Sequence, residues 1–196
     1  MKNDRLDKQI QFIIELDKLK TILRRSYLTS KERRENSAEH SWHIAVMALL
    51  LSEYSNENVN LLHVLKMLLI HDVVEIDAGD TYCYDVKSNN NKLEREKKAA
   101  KRIFGFLPED QEKEMWELWE EFESQQTPDS KFAAALDRLM PMLHNYHTKG
   151  RSWKEHNISK DKVIERNAPI QNGSQKLWKY IETIINNAVE KGYLNP

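Results

Sequence analysis

Apolar residues along this chain recur at i, i+3 and i+4 rather than at alternate positions, the spacing that lays a hydrophobic stripe along an α-helix. The first stripe, Leu6, Ile10, Ile13, Ile14, Leu19, Ile22 and Leu23, predicts a helix from Asp4 to Arg25 with its polar remainder in water. A charged loop, "TSKERRENS", follows. Asn36 with Glu39 three residues on has the form of a capping box that opens a helix through "HIAVMALLLSEYS" and places His40 and His43 in its first turns. A third stripe, from Asn60 onward, holds Leu61, Leu62, Val64, Leu65, Leu68 and Leu69 and is expected to leave the helix at Gly79.

"TYCYDVKSNNN" reads as a loop, and "KLEREKKAAKRIFGF" as an amphipathic helix with Leu93, Ala100, Ile103 and Phe104 inward. Pro108 opens another helix containing Met115, Leu118, Trp119 and Phe122. Thr127 as cap and Pro128 at the first helical position start a helix through "SKFAAALDRLMPMLHNYH", in which Pro141 is expected to kink or end the regular part. The remainder reads as a short helix, a break at Pro169 to Gly173 and a closing helix ended by Gly192.

Five glycines and five prolines in 196 residues are few, which with the periodicity makes the expected fold all-α. The length suits one core, so a single domain over residues 1–196 is expected. Thirty basic against thirty-one acidic residues argue against an electrostatic grip on nucleic acid. The runs "KERR" and "KLEREKKAAKR" are both interrupted by acids and read as solvated faces. The charged N-terminus and the absence of a long apolar run predict no membrane span and a cytoplasmic protein. Cys83, the one cysteine, fits a reducing compartment and reads as an incidental buried thiol.

Against this background "LLIHDVVEIDAGD" stands out, because charge follows directly on residues that read as buried, and buried charge needs a partner. Glu75 lies within one helical turn of His71 and Asp72, so the three address a shared region. His40, in the first turn of an apolar helix, and Asp137, set into "FAAALDRLMPML", are candidates to complete a metal site. Two imidazoles and two carboxylates suit manganese, iron, cobalt, zinc or magnesium. Taken singly, each residue also has a plainer reading: His40 as a helix-end hydrogen bonder, Asp72 and Asp137 as partners of Arg24, Arg25 or Arg138.

The constellation His40, His71-Asp72 and Asp137 resembles the HD superfamily of metal-dependent phosphohydrolases. "NSAEHSWHIAVMALLL", "LLIHDVVEIDAGD" and "LPEDQEKEMWELWEEFESQQTPDSKFAAALDRL" are similar to the branch containing the bacterial 5′-deoxynucleotidase and its eukaryotic HD-domain-containing relatives. The resemblance covers residues 19–146, with C-terminal helices over 160–192 expected to pack on that core. It implies a helical HD-domain bundle in which His40, His71, Asp72 and Asp137 hold one divalent ion, Glu75 is the catalytic acid or base, Asp80 is an active-site carboxylate and Arg24 contacts substrate. It further implies release of phosphate from (deoxy)nucleoside 5′-monophosphates by ion-activated water, and a homodimer. The chain departs from the deoxynucleotidase at Arg24-Arg25, where that enzyme has arginine-tryptophan, which bears on sugar selectivity. Asp77 is an additional carboxylate; His43 reads as a core or supporting histidine and His63 as structural; His144, His147, Lys149 and Arg151 are candidates for a phosphate-binding rim. The alternatives are hydrolysis of another nucleotide (triphosphate, cyclic or signalling) or a metal-binding regulatory module without turnover.

Overall fold

Local capping signals set most of the element boundaries in the computed structural model, which describes residues 4–85 and 91–196. Helix α1 spans Arg5–Leu16 and passes through a 3₁₀ turn, Asp17–Thr21, into a strand, β1 (Leu23–Tyr27), which pairs antiparallel with β2 (Arg34–Asn36). Helices α2 (Ser37–Leu51), α3 (Leu61–Ile70) and the single turn α4 (Glu75–Ala78) follow. Beyond residues 86–90, the part of the expected loop that lies outside the described residues, come α5 (Lys92–Phe104), α6 (Glu109–Ser124) and the long α7 (Pro128–His147). Helices α8 (Arg151–Glu155), α9 (Lys160–Asn167), α10 (Ile170–Gly173) and α11 (Gln175–Glu190) close the chain.

The expected capping box is present: Asn36 accepts from the Glu39 backbone N–H and Glu39 returns the bond. Thr127 forms a second box with Ser130, with Pro128 behind it. The fold is mostly helical, with the ribbon β1–β2 and an isolated bridge between Ser159 and Asn195 as its β features among the described residues. The ribbon shortens the first expected helix, which ends at Leu16 rather than Arg25, and moves Arg24 from a helix to a strand. Pro141 does not end α7, which runs on to His147. None of the described helices is long and apolar enough to cross a membrane.

Two buried clusters flank the HD doublet. Ile44, Met67, Leu68, Phe122, Phe132 and Leu136 belong to one, joined by Ile170, Leu177, Ile181 and Ile185 from the C-terminal helices. Val73, Val74, Ala100, Ile103, Phe104 and Trp119 belong to the other. His71 and Asp72 follow Leu68 of the first cluster and precede Val73 of the second, so apolar packing on both sides fixes a stretch of backbone whose polar side chains turn into the seam. Gly79 then adopts φ 73°, ψ 153°, a region essentially closed to other residues, and so returns the chain with Asp80 toward the same cleft.

The stripe expected to anchor α1 faces outward instead. Leu6, Ile10, Ile13 and Ile14 are exposed (Ile14 by 65%), and Phe12 and Glu15 are the residues the helix buries. Polar contacts dock it: Arg5 pairs with Asp110, and Glu15 with Arg102. Leu93, expected inward, is also exposed, the buried face of α5 being Glu96, Ala99, Ala100, Ile103 and Phe104.

Candidate metal centre

Three helical elements converge where the sequence predicts a site. His40 comes from the first turn of α2, His71 and Asp72 from the end of α3, and Asp137 from the middle of α7. His40 Nε2 lies 2.9 Å from Asp137 Oδ1, and His71 Nε2 lies 3.1 Å from Asp72 Oδ1 and 3.8 Å from Asp137 Oδ1. Ligand atoms of His40, His71 and Asp72 all fall within 4.8 Å of one another.

Backbone bonding selects which nitrogen faces inward. His71 Nδ1 donates to the Leu68 carbonyl at 2.9 Å, so Nε2 points at the carboxylates, where it is buried without a hydrogen bond of its own. A buried nitrogen so oriented, beside two carboxylates, is the donor atom a cation takes, and the four side chains fit a divalent ion of mixed nitrogen and oxygen preference.

The charges hold one another in place. Burial opposes it, but Asp72 and Asp137 hold His71 up at about 10. Burial and Arg24 depress His40, yet its contacts with Asp137 and Glu35 leave it raised. Asp137 is well below the carboxylate range, because His40 and His71 outweigh burial, and Asp72 is lowered by His71 and Arg24 against the same penalty. A cation bound among these groups would compete with protons for the imidazole nitrogens.

Arg24 reaches in from β1. Its guanidinium bonds Asp72 Oδ2 at 2.5 Å and lies 3.6 Å from Asp137 Oδ1, so the plainer reading of these aspartates as arginine partners is also true of them. Glu75, 6% exposed, accepts a 2.6 Å hydrogen bond from Ser37 Oγ and is pushed well above the carboxylate range by burial and by Asp72. Asp80 is raised too, by burial and, against Arg24, by Asp72. Arg24, His71, Asp72, Glu75, Asp80 and Asp137 line one cleft, together with Arg25, Tyr82, Cys83, Tyr84, Arg138 and Arg166, while His40 and Ser37 lie behind its wall. Cys83 is therefore an exposed residue at a cleft wall, not a buried thiol.

Other candidates are dispersed. Asp77 turns away and pairs with Arg102, and His63 pairs with Glu121 at 2.7 Å. The expected phosphate rim does not form: His147 and Lys149 are exposed outside the cleft, Arg151 stacks on Tyr27 at 3.7 Å, and His144 is buried. Sequence reasoning missed Glu35, Ser37 and Arg166, and named Arg138 only as a partner of the aspartates. Glu35, 1% exposed, sits 3.3 Å from His40 Nδ1, but its charged neighbours "KERR" disguise it as part of a surface loop.

The family model described as HD domain matches residues 16–178. The 5′-deoxynucleotidase HDDC2 of Bos taurus is 33% identical over 135 residues, 68% of this chain, and the 5′-deoxynucleotidase YfbR of Escherichia coli is 33% identical over 100 residues. The match spans 64% of the bovine protein's length, under two thirds of it. A predicted metal-dependent phosphohydrolase from Magnetospirillum magnetotacticum, solved as a crystal structure, superposes with a TM-score of 0.94 at 53% identity, covering 98% of this chain and 96% of that one.

Proposed function

The chain belongs to the HD-domain family, and on that premise we propose that it is a metal-dependent phosphohydrolase releasing phosphate from (deoxy)nucleoside 5′-monophosphates, with His40, His71, Asp72 and Asp137 as its ligands. One observation carries this reading: Glu75, a buried carboxyl raised by its surroundings, shares a cleft with His71, Asp72 and Asp137, and His40 closes on Asp137 from behind to complete a two-histidine, two-aspartate set. The deoxynucleotidase names of its relatives support the substrate class.

A divalent ion held there supplies Lewis-acid polarisation of a phosphoryl oxygen and makes water acidic enough to attack near neutral pH. Glu75, whose acid form burial and Asp72 favour, is placed to donate a proton to the departing sugar alkoxide, with the Ser37 hydroxyl fixing the carboxyl's orientation. Asp80 orients the attacking water or the sugar from the opposite side of the turn at Gly79. Arg24 remains a cation at any working pH and presents a planar donor fork to phosphate oxygens.

The direct test is phosphate release from ribo- and deoxyribonucleoside 5′-monophosphates with manganese, cobalt, magnesium or zinc added. Metal-dependent turnover is expected, and inactivity toward every monophosphate with every ion removes this substrate class. Arg24→Ala is expected to lower kcat/KM by roughly 10- to 100-fold, the worth of one or two charge-assisted hydrogen bonds, while metal stoichiometry holds. Metal retention with unchanged kcat/KM would sink the role given to Arg24.

A second reading, hydrolysis of a nucleotide carrying more than one phosphate, is favoured by one feature. Arg138 is held below its ordinary value by burial and by the like charge of Arg166 in the same cleft, and its Nε has no hydrogen-bond partner. A second anionic group would relieve both. Preference for di- or triphosphates over monophosphates in the same panel, lost in Arg166→Ala, selects this reading.

We also propose a homodimer, supported by the exposed stripe Leu6, Ile10, Ile13 and Ile14 on α1. Sedimentation is expected to give a dimer for the wild type and a monomer for Ile14→Glu. A monomeric wild type refutes it.

A further inference from the structure

A second group of ligand-type side chains lies beside the first but shares no residue with it. Glu35 comes from β2, His43 from α2 and His144 from α7, and one ligand atom of each lies within 4.8 Å of the other two. Glu35 and His144 are 1% and 2% exposed, and His43 is half-buried. The His43 and His144 rings sit edge to face with centroids 6.3 Å apart.

Polar atoms are orphaned at this point. Glu35 Oε2 and His144 Nδ1, 3.7 Å apart, are both buried and without a hydrogen-bond partner. His40 Nδ1 approaches the same carboxylate oxygen at 3.3 Å and is equally unpartnered. Buried polar atoms are nearly always satisfied, so an orphaned oxygen with two orphaned ring nitrogens beside it needs an explanation. A separation of 3.7 Å is too long for an N–H···O bond. It is close to the edge of a coordination tetrahedron, since ligand atoms about 2.1 Å from an ion lie roughly 3.5 Å from each other.

We propose that Glu35, His43 and His144 hold a second divalent ion of the zinc, cobalt or nickel type. Two imidazoles with one carboxylate suit borderline transition metals better than magnesium or calcium, and a fourth position is left for water. The ion ties the ribbon carrying Arg24 to α2 and α7. It also lies on the far side of the His40 ring from the first site: Nε2 of that ring faces Asp137 and Nδ1 faces Glu35. Its occupancy thereby sets the orientation of a candidate ligand of the first ion. This goes beyond the hydrolase reading and does not depend on it.

The test counts metal. Protein stripped with chelator, reloaded with cobalt(II) and desalted is measured by elemental analysis per chain, with the visible d–d absorption as a second readout and circular dichroism as the control for folding. The wild type is expected to bind two ions, His43→Gln and His144→Asn one each, and His71→Ala also one, with distinct residual spectra. Because His43 is half-buried, His43→Gln carries the test if His144→Asn fails to fold. A wild type holding one ion that is lost in His71→Ala but kept in His43→Gln overturns the proposal and leaves the hydrolase site standing. Two ions retained in both His43→Gln and His144→Asn overturn it as well. A single ion lost in His43→Gln but kept in His71→Ala upholds it and removes the first site instead.

Discussion

Asp137→Asn is expected to abolish metal-dependent phosphate release, by at least about a thousandfold, and to remove the stabilisation that added metal confers on the folded chain. Asp137 meets His40 Nε2 at 2.9 Å, His71 Nε2 at 3.8 Å and the Arg24 guanidinium at 3.6 Å, so it is the one carboxylate that touches all three cationic groups of the site. An amide in its place keeps the shape and removes the charge. Without metal, the buried guanidinium and imidazoles lose a counter-charge, and breaking a buried pair on one side costs about 3–5 kcal/mol before relaxation. With metal, a ligand is replaced by a neutral oxygen beside Arg24, and affinity falls. Thermal melts with chelator and with excess ion separate the two effects. Wild type gains stability with ligand excess, about 2.7 kcal/mol at a hundredfold excess over Kd, whereas Asp137→Asn melts lower in chelator and gains nothing. A variant that still responds to metal and turns over substrate places the ion elsewhere.

The four proposed ligands stood out in the sequence because each adjoins or interrupts an apolar helical run, and such a run cannot bury a charge without a partner. The caps at Asn36 and Thr127 were legible because they are local, each box closing within one turn. What the sequence concealed is non-local. Residues 23–36 carry no alternating apolar pattern, so the ribbon that delivers Arg24 and Glu35 is specified by the partners it reaches, including Asp72 across the chain and His40. The α1 stripe had the right period for a helix but not its orientation: periodicity identifies an apolar face and does not say whether this chain or another surface covers it. Pro141 removes one donor from a helix already anchored by Leu136, Leu139, Met140 and Met142, and the packed flanks carry α7 through to bury His144.

Glu75→Gln is expected to lower kcat by roughly a hundred- to ten-thousandfold toward nucleoside monophosphates while leaving metal stoichiometry unchanged. Glutamine keeps the volume and still accepts the Ser37 hydroxyl bond, so what is lost is the transferable proton. Burial and the Asp72 charge raise the Glu75 carboxyl, which favours the acid form. A proton donor contributes below its pKa and is lost as pH rises through it, so the wild-type profile has an alkaline limb that the variant lacks. The leaving group provides the sharper discrimination. A sugar alkoxide needs a proton as the P–O bond breaks, whereas an aryl phosphate such as p-nitrophenyl phosphate expels a stable phenolate unaided. The deficit of Glu75→Gln therefore shrinks to within about tenfold of wild type on the aryl ester if Glu75 acts as general acid. An equal deficit on both substrates would mean that Glu75 organises the site, through Ser37 and the charge balance around Asp72, without delivering the proton.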